Sequence, residues 1–110
     1  MLLITSRATS QQISELREEY DLIVKIAVDI EQQVLVGGGE LHADCERQLL
    51  ANGSKQENIW GAKWFPELKK VVCESIINLR PLQNNPSMFI INPTLQTRVV
   101  EVIEQLLGGL

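Results

Sequence analysis

The sequence predicts an α+β domain, a two-layer sandwich of a mostly antiparallel sheet of about five or six strands with an N-terminal and a C-terminal helix. Three observations carry this reading. Apolar and polar residues alternate over several short segments, the period-2 mark of half-buried strands. One segment near each end repeats its apolar residues at helical spacing instead. The connections between strand-like segments are short, which makes successive strands antiparallel neighbours. One apolar sheet face and the two helix stripes then cover each other, and the other sheet face is left polar or covered by a partner.

Each element follows from its residues. Leu2 to Ser6 read as a short first strand. Thr9 with Gln12 three residues on makes a capping box. Ile13, Leu16 and Tyr20 then form one face of a short helix whose other sides are solvated by Glu15, Arg17, Glu18 and Glu19. In residues 23–31, Val24, Ile26, Val28 and Ile30 alternate with Lys25, Ala27, Asp29 and Glu31, the clearest strand in the chain. Gln32-Gln33 turn it, and Val34 to Val36 begin the return, which runs into the triplet Gly37-Gly38-Gly39, a bulge, bend or loop.

After the triplet, Leu41, Ala43 and Cys45 alternate with His42, Asp44 and Glu46, so residues 40–46 are expected to be a strand. A helix is the rival, because Leu41, Cys45 and Leu49 also form an i, i+4, i+8 stripe. Asn52-Gly53 favours a hairpin turn. Gln56 to Phe65 give the next strand, with Trp60, Ala62 and Trp64 on one face, and Pro66 ends it. Lys70 to Leu79 alternate with apolar residues in both phases, as in a central strand covered on both sides. Arg80 to Ser87 form a loop, and Met88 to Ile91 a short apolar strand. Asn92-Pro93 open the last helix as cap and first-turn proline. Leu95, Val99, Val102, Ile103 and Leu106 build its buried stripe, widened by Val100 and Leu107, and Gly108-Gly109 close it.

Composition narrows the function. At 110 residues, 45% hydrophobic and 22% charged, residues 1–110 read as one globular domain. The net charge of −4 argues against nucleic acid or an anionic membrane as partner. No apolar stretch approaches the ~20 residues of a membrane span, and no signal-peptide pattern opens the chain. A cytoplasmic location is the expectation. The two cysteines, Cys45 and Cys73, form no CxxC or Cys/His cluster and read as buried free thiols in place of a disulfide.

Two regions could carry chemistry. If the strand at 24–31 pairs with one at 40–46, then Asp29, Glu31, His42, Asp44 and Glu46 share a face. One imidazole among carboxylates could hold a divalent metal, with His42 and Asp44 as first ligands, or make His42 a general base. The same residues also read as a solvated polar face. The glycine triplet is not a phosphate loop, because it lacks the lysine-containing pattern and acids follow it. In the loop 80–87, Arg80 and Asn85 could grip an anion or carboxylate, or serve only as an internal ion pair and a turn. Trp60 and Trp64 read as core anchors or as the lining of a groove.

The segments Gly38-Gly39-Glu40-Leu41-His42-Ala43-Asp44-Cys45-Glu46, Asn58-Ile59-Trp60-Gly61-Ala62 and Ile77-Asn78-Leu79-Arg80-Pro81-Leu82-Gln83-Asn84-Asn85-Pro86-Ser87-Met88 resemble a bacterial family of small single-domain proteins of uncharacterised function, frequent in cyanobacteria. The resemblance implies a bacterial single domain and brings no activity, cofactor or catalytic residue. The function expected is therefore a binding module for a small ligand or a protein partner, with a homodimer among the partners. The alternative is a metal-assisted hydrolase centred on His42, Asp44 and Glu46.

Overall fold

Among the described residues, five strands form one antiparallel sheet: β1 (Leu2–Ile4), β2 (Val24–Asp29), β3 (Val34–Gly37), β4 (Ile59–Phe65) and β5 (Lys70–Val72). Their order across the sheet is β1-β3-β2-β4-β5. Three helices pack on it, α1 (Ser10–Glu19), α2 (His42–Ala51) and α3 (Pro93–Leu107). The computed structural model describes residues 1–19 and 22–108. Tyr20 of the first helical stripe, the side chain of Glu19, and Gly109 lie outside the described residues.

The α+β class, the antiparallel sheet and the two terminal helices follow from the periodicities. Ile26 pairs with Ala62, and Val28 with both Leu35 and Trp60, so the apolar phase of the central strand meets the apolar phases of its neighbours. Val24, Ile26, Val28, Leu35, Trp60, Ala62 and Trp64 make one buried face, and Leu16 of α1 with Val99, Val102, Ile103 and Leu106 of α3 cover it. The capping box closes α1: Thr9 N–H donates to Gln12 Oε1 at 2.9 Å, and Gln12 N–H to Thr9 Oγ1 at 3.1 Å. Asn92 Oδ1 accepts from Thr94 and Leu95 N–H at the start of α3.

Residues 42–51 are helix, not the expected strand. The alternation after the glycines stops at Glu46, and Glu46, Arg47, Gln48, Leu49, Leu50 and Ala51 are all strong helix formers. Gly38, at φ +89°, first turns the chain out of the sheet. The buried stripe is His42, Cys45 and Leu49, spaced i, i+3, i+7, while Leu41 stays outside as the exposed N-cap residue. Cys45 and Leu49 pack on Ala27, Val34, Val36 and Ile59, so α2 covers the second sheet face from within the chain.

Three further expectations change. Asn52-Gly53 ends α2 instead of turning a hairpin, with Gly53 at φ +96°, because the residues that favour tight turns also terminate helices. The strand expected over 70–79 is short, and β5 is an edge strand, not a central one. Its ladder stops because Ser75 Oγ accepts from Ile77 N–H and starts a 3₁₀ turn over Ile76–Asn78. Residues 88–91 keep only a single bridge, Phe89 to Glu74. Cys45 and Cys73 are both free and buried, in clusters on opposite sheet faces.

Candidate functional site

Beyond β5 the outer edge of β4 lacks a strand over Ile59–Ala62, and side chains take its place. Gly61 N–H donates to Asn78 Oδ1 at 2.7 Å, and Asn78 Nδ2 donates back to Gly61 C=O at 2.9 Å. The amide of Asn78 therefore pairs with Gly61 as a neighbouring strand residue would. Nδ2 also reaches Met88 C=O at 3.2 Å, and Asn78 is fully buried. Only glycine fits at 61, since a Cβ there would lie 2.4 Å from Ser75 Cβ and 2.6 Å from its Oγ.

Arg80 finishes the edge. Its Nη2 donates to Ile59 C=O, Nη1 to Gln56 C=O at 2.7 Å and Gln83 Oε1 at 3.2 Å, and Nε to Ile77 C=O at 2.8 Å. The guanidinium stacks on Trp60, 4.4 Å from the ring centroid. Its counter-charge is Glu46 of α2, whose Oε2 lies 3.5 Å from Nη2 and has no hydrogen-bond partner of its own. Burial lowers the Arg80 pKa and the Glu46 carboxylate opposes that shift. A guanidinium stays protonated in any case.

Asn85 is the third buried anchor. Its Nδ2 donates to the carbonyls of Asn78 (2.7 Å), Ser87 (2.9 Å) and Phe89 (3.0 Å), and its Oδ1 accepts from Ile91 N–H at 3.0 Å. The backbones of Arg80 and Asn85 exchange both bonds across the loop. Residues 76–91 thus form an ordered lobe around three buried polar side chains.

The outside of this lobe is apolar. Half of the large apolar side chains exposed among the described residues, six of twelve, belong to it: Ile76, Leu79, Leu82, Met88, Phe89 and Ile91. In a chain that is 22% charged, residues 75–97 contain one charged side chain, and that is the buried Arg80. Leu82 projects from the 3₁₀ turn Pro81–Gln83, fully exposed. Leu82 itself forms one wall of a pocket of about 280 Å³ that Gln56, Leu79, Arg80, Pro81 and Gln83 also line.

The other residues singled out by sequence are dispersed. Residues two apart on a helix point about 200° apart, so His42 and Asp44 do not share a face. Asp44 pairs with Arg47 at 3.2 Å beside a pocket of about 490 Å³ that Gly38, Gly39 and Glu40 also line. Asp29 is buried at the β2–β3 turn, its Oδ1 accepting from Glu31 and Gln32 N–H at 2.9 Å each. Glu31 is exposed and 3.6 Å from Arg98. Among the described residues no group of three or more His, Cys, Asp and Glu is gathered as a metal cage. Of the sequence candidates, the structure joins Glu46, Arg80 and Asn85 in one lobe and its support. Trp60 and Trp64 are core residues, and Trp60 also seats Arg80. Asn78 escaped notice in the sequence, because it falls inside an alternating stretch. The missing charges over 75–97, broken by four asparagines, were the available signal.

His42 is 6% exposed, with Nε2 2.8 Å from Ala62 C=O. A carbonyl only accepts, so Nε2 carries a proton and donates it to Ala62. Burial lowers its pKa below 6.5, and Lys25 and Lys63 add to that against the pull of the Ala62 bond. Below pH 6.5 the unfolded chain therefore takes up the proton first. Stability falls as pH drops from 6.5 to the lower folded pKa, by at most about 1.4 kcal/mol per pH unit. The melting temperature is expected to drop between pH 7 and pH 5, and His42→Gln to flatten that part of the drop.

Residues 2–106 match the model of a family described as "Protein of unknown function (DUF5674)". No curated protein and no solved structure matches the chain. Among the described residues no helix is long and apolar enough to cross a membrane.

Proposed function

The chain belongs to the DUF5674 family, and we propose that it is a binding module whose contact surface is the lobe formed by residues 76–91. One observation carries the reading: among the described residues, the lobe holds half of the exposed large apolar side chains on a backbone fixed by Asn78, Arg80 and Asn85. Apolar surface left in water is costly, and clusters of it mark interaction sites. A mobile loop would lose entropy on ordering, whereas this one is ordered before it meets a partner. Several polar groups of the lobe's backbone are bonded inward: Ile90 N–H to Cys73 C=O, Ile91 N–H to Asn85 and Met88 C=O to Ser75 and Asn78.

A photo-crosslinking residue in place of Leu82 tests this in producing cells. Illumination is expected to give discrete covalent adducts, lost when Leu79→Asp is added. The same residue at Glu101, exposed on α3, should give none. Equal yields from the two positions would overturn the proposal.

A further inference from the structure

We infer that the partner of this surface is a second copy of the chain, joined about a two-fold axis so that Leu82 of each copy enters the pocket beside Leu82 of the other. The inference rests on the binding reading above and adds the identity of the partner. Three observations support it.

The first is shape. A fully exposed leucine projects from the rim of a recess that it helps to line. A two-fold contact places the same patch against itself, so one projection and one adjacent recess per copy suffice for both to be filled. The recess, about 280 Å³, falls below the usual range of small-molecule pockets yet has room for a branched aliphatic side chain. Leu79 and Pro81 give it apolar walls.

The second is charge. Two copies each carry a net −4 and repel over most approaches. Residues 75–97 contain one charged side chain, Arg80, which lines the recess but is 9% exposed and paired with Glu46. Two acidic copies can meet on residues 75–97 without like charges from that segment opposite one another. The face also lacks the basic groups that would select an acidic partner or nucleic acid.

The third is polar self-complementarity. Asn84 is exposed at the tip, next to Leu82, while the Gln83 amide is already bonded to Arg80 Nη1 and Glu57 C=O. An amide both donates and accepts, so the rim of a symmetric contact can bond to its own image.

Light scattering coupled to size-exclusion chromatography tests the inference on the full chain. The wild-type protein is expected at twice the 12.4 kDa chain mass. Leu82→Asp is expected at the single-chain mass with unchanged circular dichroism and melting temperature, since Leu82 touches little within its own copy. Leu68→Asp, in the β4–β5 turn where Leu68 is also exposed, should leave the dimer intact. A wild-type protein that stays at 12.4 kDa at submillimolar concentration, or a dimer that survives Leu82→Asp, overturns the inference. The crosslinking result separates the two levels. Monomers whose position 82 still captures a different protein refute the second copy as partner and leave the contact surface standing.

Discussion

Arg80→Met is expected to destabilise the protein by about 3–5 kcal/mol, read from urea unfolding followed by tryptophan fluorescence. The loss has three sources. Glu46 keeps its carboxylate, mostly buried, with the counter-charge of Arg80 gone. The carbonyls of Gln56, Ile59 and Ile77 lose their donor. Trp60 loses the cation on its face. Arg80→Lys should recover little, because an ammonium cannot fork to three carbonyls and stack flat on a ring. Adding Glu46→Leu to Arg80→Met should recover much of the loss, since no charge then remains stranded. A loss under about 1 kcal/mol for Arg80→Met would mean that the guanidinium behaves as an exposed surface cation.

Asn78→Asp is expected to cost about 3 kcal/mol or more at pH 7, although the two side chains have nearly the same shape. Asn78 donates through Nδ2 to Gly61 and Met88 carbonyls. A carboxylate cannot donate, and it would face both oxygens from a fully buried position. Its protonated form is the one the site tolerates, so the folded-state pKa of the introduced carboxyl is raised above the unfolded value. The deficit relative to wild type should therefore shrink as pH falls toward 4 and grow as pH rises through that pKa. Asn78→Ala, which also removes the pairing to Gly61, should show a loss without this pH dependence. An Asn78→Asp deficit that is flat from pH 8 to 4 would place the side chain in water.

Much of the scaffold was legible because it depends on short-range pattern. The β2 alternation, the Thr9–Gln12 capping box and the Asn92-Pro93 start of α3 each need only a few neighbouring residues to act. Residues 40–50 were not legible in the same way. Six alternating residues fit a strand, and Cys45 with Leu49 fits a helix equally well. The choice falls to the sheet, whose second face, built from Ala27, Val34, Val36 and Ile59, needs an apolar cover. That demand is tertiary and decides what the helix formers Glu46–Ala51 only favour.

The candidate site shows the same division. Arg80 and Asn85 drew notice from a loop poor in regular pattern. Glu46 drew notice for a different reason, as part of an acidic row that the helix disperses. Its pairing with Arg80 joins α2 to the far edge of the sheet and cannot be read from spacing. Asn78 replaces a strand at the β4 edge, a role defined by what is missing beside Gly61. Strand propensity over 70–79 and 88–91 was real but lost to side-chain amides that took up the backbone groups a ladder needs.

Amide hydrogen exchange measures most directly whether residues 76–91 are a fixed platform. The amides of Gly61, Arg80, Asn85, Ile90 and Ile91 all donate within the lobe or at its seam with the sheet. They are expected to exchange as slowly as the β2–β4 amides, through global unfolding. Fast exchange at Arg80, Asn85 and Ile91, with β2–β4 still protected, would show a lobe that opens on its own and would contradict a preformed contact surface.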